Sequence, residues 1–174
     1  MTETRERIAT HVKERPGVHF SAIVRALDLA PGQVQYHLRR LRRAGRLTEE
    51  GLYGRTHYYP PTFDPWERRA LALLRRETAG DIVAALVADG PSSPATVADR
   101  LGLARSTLSW HIDRLEASGL VDRVRDGRGR VTLEVADHDR TATLLAKVEP
   151  SPADRLVSRF TRLVDTLIED ATAD

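Results

Sequence analysis

The chain has 174 residues, 41% of them hydrophobic and 30% charged, with a formal net charge of +2; that is room for one or two small domains with packed cores, and too apolar for a disordered chain. The absence of cysteine excludes a disulfide framework, a thiolate zinc site, a cysteine nucleophile and a thiol redox switch. No stretch reaches the roughly 18 apolar residues of a membrane span, and MTETRERIAT (1–10) lacks the apolar core of a secretory signal, so a cytoplasmic protein with no membrane contact is expected.

In chain order, Ile8, Ala9 and Val12 have helical spacing, and the run ends at the turn pair Pro16-Gly17. Val18–Phe20 reads as a very short strand. Ile23, Val24 and Leu27 mark a second helix that ends near Asp28, and Leu29–Gly32 is a tight turn. Pro31 suits the first turn of a third helix, where its missing N–H costs nothing. Val34, Leu38 and Leu41 follow as one buried stripe, and Gly45 sits where a helix C-cap favours a left-handed residue. Arg46–Glu50 and Arg55–Pro60 then read as a β-hairpin around Gly51 to Gly54. Asp64 and Pro65 open a connecting helix with Trp66, Ala70, Leu73 and Leu74 on one face, and Gly80 is expected to end or bend it before Ile82.

The order then repeats. Helices are expected over Asp81–Asp89 and over Pro94–Leu101; Leu103–Ser106 turns, and a third helix runs to about Ser118 with Leu108, Ile112 and Leu115 buried and Gly119 as cap. Strands Leu120–Val124 and Arg130–Val135 flank Asp126-Gly127, a strong hairpin signal. Asp137-His138-Asp139 reads as a linker, followed by a short helix over Asp139–Lys147. The final segment, 153–171, carries Leu156, Phe160, Leu163 and Leu167 at heptad-like steps. That stripe is too wide to leave in water, so it packs on the chain itself or on a second copy.

Sliding the chain by 74 residues superposes two segments without a gap. Ile8 falls on Ile82, Ile23 on Val97, Leu27 on Leu101, Tyr36 on Trp110, His37 on His111, Leu41 on Leu115 and Gly45 on Gly119. Two copies of one small fold follow. The expected divisions are a first domain at 1–61, a connecting helix at 62–80, a second domain at 81–138 and a C-terminal helical segment at 139–174.

Three helices and a hairpin, with a tight turn between helices two and three, make a winged helix-turn-helix. The fold class is mainly α with small β-hairpins as wings: two tandem winged domains plus a C-terminal helix. VQYHLRRLRRAGRL (34–47) and LSWHIDRLEASGLV (108–121) resemble the recognition-helix signature of ArsR-like and MarR-like winged regulators. PGVHFSAIVRALDL (16–29) resembles the preceding helix of archaeal members, and the whole arrangement is similar to tandem winged regulators of haloarchaea. The resemblance implies a DNA-binding transcription regulator with double-stranded DNA as partner, a homodimer through Leu156, Phe160, Leu163 and Leu167, and no catalytic activity. The alternative is a protein-interaction module of the transcription or chromosome-partitioning machinery.

Charge gives the resemblance a location. Residues 1–64 carry net +4, 65–140 are neutral, and 141–174 carry −2. Between Pro31 and Leu47 there are five arginines, Arg39, Arg40, Arg42, Arg43 and Arg46, and no acid. Arginine gives forked contacts to phosphate and guanine, although the same bias fits the codon usage of a GC-rich genome. With the third helix in the major groove, its outward set is Gln33, Gln35, Tyr36, Arg39, Arg40 and Arg43 with Arg46 behind. The set in the second copy is Arg105, Ser106, Thr107, Ser109 and Trp110, beside the acids Asp113 and Glu116. Ser106 equally suits helix capping, and Tyr36 and Trp110 equally suit packing against a neighbouring helix. The wings offer Arg55 and His57 in copy one and Arg125, Arg128 and Arg130 in copy two. His37 and His111 recur at one slot with no second ligand at metal spacing, so neither a metal nor a cofactor is expected. No phosphate-binding glycine loop, Gly-x-Ser-x-Gly or His-Glu-x-x-His motif is present.

Overall fold

The computed structural model describes residues 2–148; the expected C-terminal helix at 153–171, with Leu156, Phe160, Leu163 and Leu167, lies outside the described residues. The chain divides between Arg76 and Glu77 into two compact units. Among the described residues no helix is long and apolar enough to cross a membrane.

The first unit holds α1 (Glu3–Glu14), β1 (Val18–His19), α2 (Phe20–Leu27), α3 (Pro31–Arg43), β2 (Thr48–Leu52), β3 (Arg55–Tyr59) and α4 (Pro65–Leu74). Apolar residues three or four apart put Ile8 and Val12 of α1, Ile23 of α2, and Val34, Leu38 and Leu41 of α3 into one core with Val18, Leu47 and Tyr58. The chain leaves α3 through Gly45 at φ 68°. Its N–H donates to Arg42 O at 2.9 Å, and Arg46 N–H donates to Leu41 O at 3.0 Å. This is the Schellman closure that the glycine anticipates. The strands pair antiparallel in the order β1-β3-β2. Tyr53 and Gly54, both at positive φ (52° and 79°), make the two-residue turn of the β2–β3 wing, a backbone twist that suits a tight hairpin.

Helix α4 belongs to this unit. Asp64 and Glu67 close a reciprocal capping box, 2.9 and 2.8 Å, of the kind worth about 1 kcal/mol. Tyr59 Oη donates to Arg68 O at 2.8 Å, and Arg75 Nε donates to Pro16 O at 2.8 Å. Arg76 donates to Tyr53 O. Gly17, at φ 81°, lets this packing close: a Cβ there would stand 3.0 Å from Leu71 Cβ. The helix therefore ends at Leu74, with the two arginines after it turned back onto the unit. The expected break at Gly80 is corrected: Gly80 is buried inside the next helix, where a small residue serves packing rather than a bend.

The second unit holds α5 (Glu77–Asp89), α6 (Pro94–Leu101), α7 (Arg105–Ala117), β4 (Val121–Arg125), β5 (Val131–Val135) and α8 (His138–Leu145). Helices α1, α2 and α3 start at 3, 20 and 31, and α5, α6 and α7 start at 77, 94 and 105. The offset of 74 thus holds at every start, and α5 begins four residues before the expected Asp81. The core is Ile82, Leu86, Val97, Leu108, Ile112, Leu115, Leu120 and Leu133. A single bridge, Ser92 to Leu133, stands where Val18 pairs with Tyr58 in the first sheet.

The second wing turns differently. Gly129 is the residue at positive φ (76°); its N–H donates to Asp126 O at 3.0 Å, and Asp126 N–H donates to Arg130 O at 3.0 Å. This is a type I turn closed by a glycine bulge, one residue longer than the first wing. The Asp137-His138-Asp139 triplet is not a linker: Asp137 caps α8 by accepting from Arg140 N–H at 3.1 Å. Thr141, Leu144 and Leu145 of α8 are buried, and the helix packs on α5.

Candidate nucleic-acid interface

Helix α3 buries Val34, His37, Leu38 and Leu41, so its other side faces solvent. Gln33, Gln35, Tyr36, Arg39, Arg40 and Arg43 are all exposed. Two acids of the unit pair with other arginines of the same stretch. Glu49 on β2 pairs with Arg42. Glu6 on α1 takes Arg46 in two bonds, 2.8 and 3.2 Å, and that hydrogen bond holds the Glu6 carboxyl below the usual carboxylate range. Arg39 and Arg43 have no acidic partner among the described residues. Arg40 lies over the Tyr36 ring, 5.6 Å from its centroid, and donates to its hydroxyl at 3.2 Å. Arg46 remains exposed, and solvent screens an exposed ion pair of this kind, so a stronger anion can compete for it.

Tyr36 is 51% and Trp110 50% exposed. Packing against a neighbouring helix is therefore not their role. Each meets the edge of the next residue's ring, His37 at 5.1 Å and His111 at 4.7 Å. Each is also covered by the arginine one turn later; Arg114 lies 3.9 Å from the Trp110 centroid. The aromatics are thus held in place from within their own helix.

The wing of the first unit corrects one expectation. Arg55 is exposed, but His57 is 2% exposed and cannot touch a nucleic acid. It lies on the central strand of the sheet, and its Nδ1 is 2.7 Å from Gly17 O. Burial pushes its pKa down, partly offset by that bond. Between this wing, the start of α2 and α3 runs a groove of about 570 Å³ lined by His19, Ser21, Arg25, Gln35, Arg55 and Thr56, with Phe20, Gly54 and Tyr58. His19, Ser21 and Arg25 were not anticipated. The 74-residue offset sets His19 on Ser93, an evident helix cap, but its approach to Arg55 spans 36 residues and no local pattern encodes it.

In the second unit Arg105, Ser106, Thr107, Ser109 and Trp110 are exposed along α7. The N-cap of α7 is Ala104, so Ser106 is not its cap. Arg123 on β4 reaches both acids of this helix, Asp113 at 2.5 Å and Glu116 at 3.2 Å, and blunts the repulsion they would exert on phosphate. On the wing Arg125, Arg128 and Arg130 are exposed, and Arg130 is tied to Asp126 at 2.7 Å. A groove of about 420 Å³ runs beside Ser93, Arg105, Ser109, Arg123 and Arg125, at the place in this repeat that the first groove has in the other. Among the described residues no three His, Cys, Asp or Glu side chains gather as a metal site needs.

Comparison with known proteins agrees with this architecture. A family model described as an N-terminal HTH domain matches residues 2–71, and a helix-turn-helix domain model matches residues 73–124. An HTH-type transcriptional regulator of Methanocaldococcus jannaschii is 26% identical over 127 residues, 73% of this chain and 32% of that protein. The chain thus spans about a third of the length of this curated relative. Among solved structures, the cadmium sensor CmtR of Mycobacterium tuberculosis is 33% identical, with 47% of this chain and 80% of that chain covered and a TM-score of 0.40. The PcaV transcriptional regulator of Streptomyces coelicolor is 25% identical, with 84% and 100% covered and a TM-score of 0.39. One helix-turn-helix family match thus falls on each copy of the repeat, so the chain carries two helix-turn-helix domains in tandem.

Proposed function

We infer that the chain is a sequence-specific regulator that binds double-stranded DNA, with α3 in the major groove and the first wing along the backbone. One observation carries this: the solvent side of α3 presents Arg39, Arg40 and Arg43 beside Gln33 and Gln35 with no acid on that face, because Glu6 and Glu49 are spent on Arg46 and Arg42. Arginine reads guanine or holds phosphate, and glutamine reads adenine. Helix α7 adds a second, electrostatically weaker contact through Arg105, Ser106, Thr107, Ser109 and Trp110, with Arg125, Arg128 and Arg130 on its wing. A cytoplasmic homodimer joined through Leu156, Phe160, Leu163 and Leu167 would present paired half-sites.

Selection of genomic fragments at low salt tests the reading. The chain is expected to enrich a discrete set of sites, and replacement of Arg39, Arg40 and Arg43 by Ala is expected to abolish the enrichment. Failure to retain any fragment would overturn it. A stoichiometric polymerase or chromosome-partitioning partner without DNA affinity would point to the protein-interaction alternative.

A further inference from the structure

At the foot of the first wing one imidazole faces two donors. His19 caps α2, and Ala22 N–H donates to its Nδ1 at 3.3 Å. Its other nitrogen, Nε2, lies 3.1 Å from Nη1 of Arg55, a guanidinium that only donates. A neutral imidazole has one acceptor nitrogen and one N–H, so whichever nitrogen holds the proton meets a donor. The conflict ends when the proton sits on Nε2 and an oxygen acceptor accepts from both Nε2–H and Arg55. The cap bond to Ala22 is then kept.

The surroundings select the charge of that acceptor. Arg55 and His57 approach from β3, Arg25 from α2 and Arg75 from the end of α4, and no carboxylate is among the groups acting on the ring. Burial first, and the neighbouring arginines Arg55, Arg25 and Arg75 with His57 after it, hold the His19 pKa down to about 4, so the free ring is neutral at physiological pH. Ser21, Thr56 and Gln35 line the same groove and supply further donors. The second repeat lacks the arrangement. Ser93 stands at His19's place and accepts from Thr96 N–H at 3.1 Å. Pairing Tyr58 with Val18 and Leu133 with Ser92 puts Arg130 at Arg55's place, where Asp126 holds it.

We propose that His19 and Arg55 form a clamp for one backbone phosphate of duplex DNA, in which His19 donates from Nε2 and Arg55 supplies the charge. The clamp rests on the DNA-binding reading above and adds a contact that the second domain does not have. It also separates two quantities that usually move together: a neutral donor contributes affinity without displacing a counterion, whereas each neutralising arginine contributes to the salt dependence.

The test measures the affinity of the full chain for a 30-base-pair duplex against salt and pH. The chains compared are wild type, His19→Asn and Arg55→Ala. Asparagine keeps the helix cap but cannot reach the phosphate. His19→Asn is expected to weaken binding about tenfold with the salt slope unchanged, and by the same factor from pH 6 to pH 8. Arg55→Ala is expected to weaken binding and to flatten the slope by about 0.9. Equal affinity of wild type and His19→Asn overturns the clamp. So does a loss that vanishes as pH rises through about 6.5, the ordinary histidine pKa, because the ring would then bind as a cation. In a second arm, an NMR response of the His19 ring to millimolar inorganic phosphate but not to duplex would assign the groove to a free anion and overturn the backbone contact. Failure of the wild-type chain to bind any duplex would instead overturn the DNA-binding reading itself.

Discussion

The two units share a backbone and differ in what it presents. Their helices start in step, and Leu41 and Leu115 are both fully buried at the same place. The exposed sides have diverged. Helix α3 carries unpaired arginines, whereas α7 carries Asp113 and Glu116 bridged by Arg123. The first wing turns on two residues and leans on His19; the second is longer, and Asp126 organises its tip by accepting from Arg128 and Arg130 backbone N–H at 2.8 and 2.9 Å. Apolar spacing is thus a sufficient common specification for the fold, and the residues between the apolar positions are free to set electrostatics separately in each copy.

If the cores are equivalent, Leu41→Ala and Leu115→Ala should each cost about 2–5 kcal/mol in chemical denaturation of their own unit. Trp66 in the first unit and Trp110 in the second report them separately by fluorescence. A large difference between the two would break the equivalence. The surfaces should not be equivalent. Replacing Arg39, Arg40 and Arg43 by Ala should flatten the salt slope of DNA binding by up to about 2.7, from about 0.9 per phosphate contact. Replacing Arg105, Arg125 and Arg128 should flatten it less, and equal flattening would mean that the copies share the phosphate load. Gly45→Ala and Gly119→Ala, both at left-handed positions with φ 68° and 76°, should each cost about 1–2 kcal/mol, read as matched shifts in the denaturation midpoints.

The smallest effect concerns acid. His11, His19, His37 and His57, all in the first unit, have pKa values pushed down, chiefly by burial. Below about pH 6.5, the ordinary histidine value, the unfolded chain binds more protons than the folded unit, so stability falls with pH. For His19 the loss continues down to about 4. The first unit should lose amide-exchange protection between pH 7 and pH 5 before the second. The second holds Ser93 and Thr132 at the places of His19 and His57. Earlier loss in the second unit would contradict this account.

What was legible in the sequence was local. Helix-period leucines, Pro31 at the start of α3 and the glycines after α3 and α7 encode their own neighbourhoods. The consecutive burial of His57, Tyr58 and Tyr59 on β3 was not legible, because it depends on elements packed against the strand from elsewhere in the unit. Gly80 misled because a glycine in a helix reads as a break until its burial is known. Arg46 could not be separated from its neighbours by pattern, since its partner Glu6 lies 40 residues away. The start of α5 was in reach, because the repeat that identified the fold carries Glu3 onto Glu77.

The longer turn of the second wing also marks where the repeat tolerates a change of length. Thr48 corresponds to Asp122 at an offset of 74, but Tyr58 corresponds to Leu133 at 75. The two copies differ in length at the hairpin tip while the strands of each keep one continuous register. The tip is therefore where the wing's reach can be lengthened or shortened while the rest of the domain stays intact.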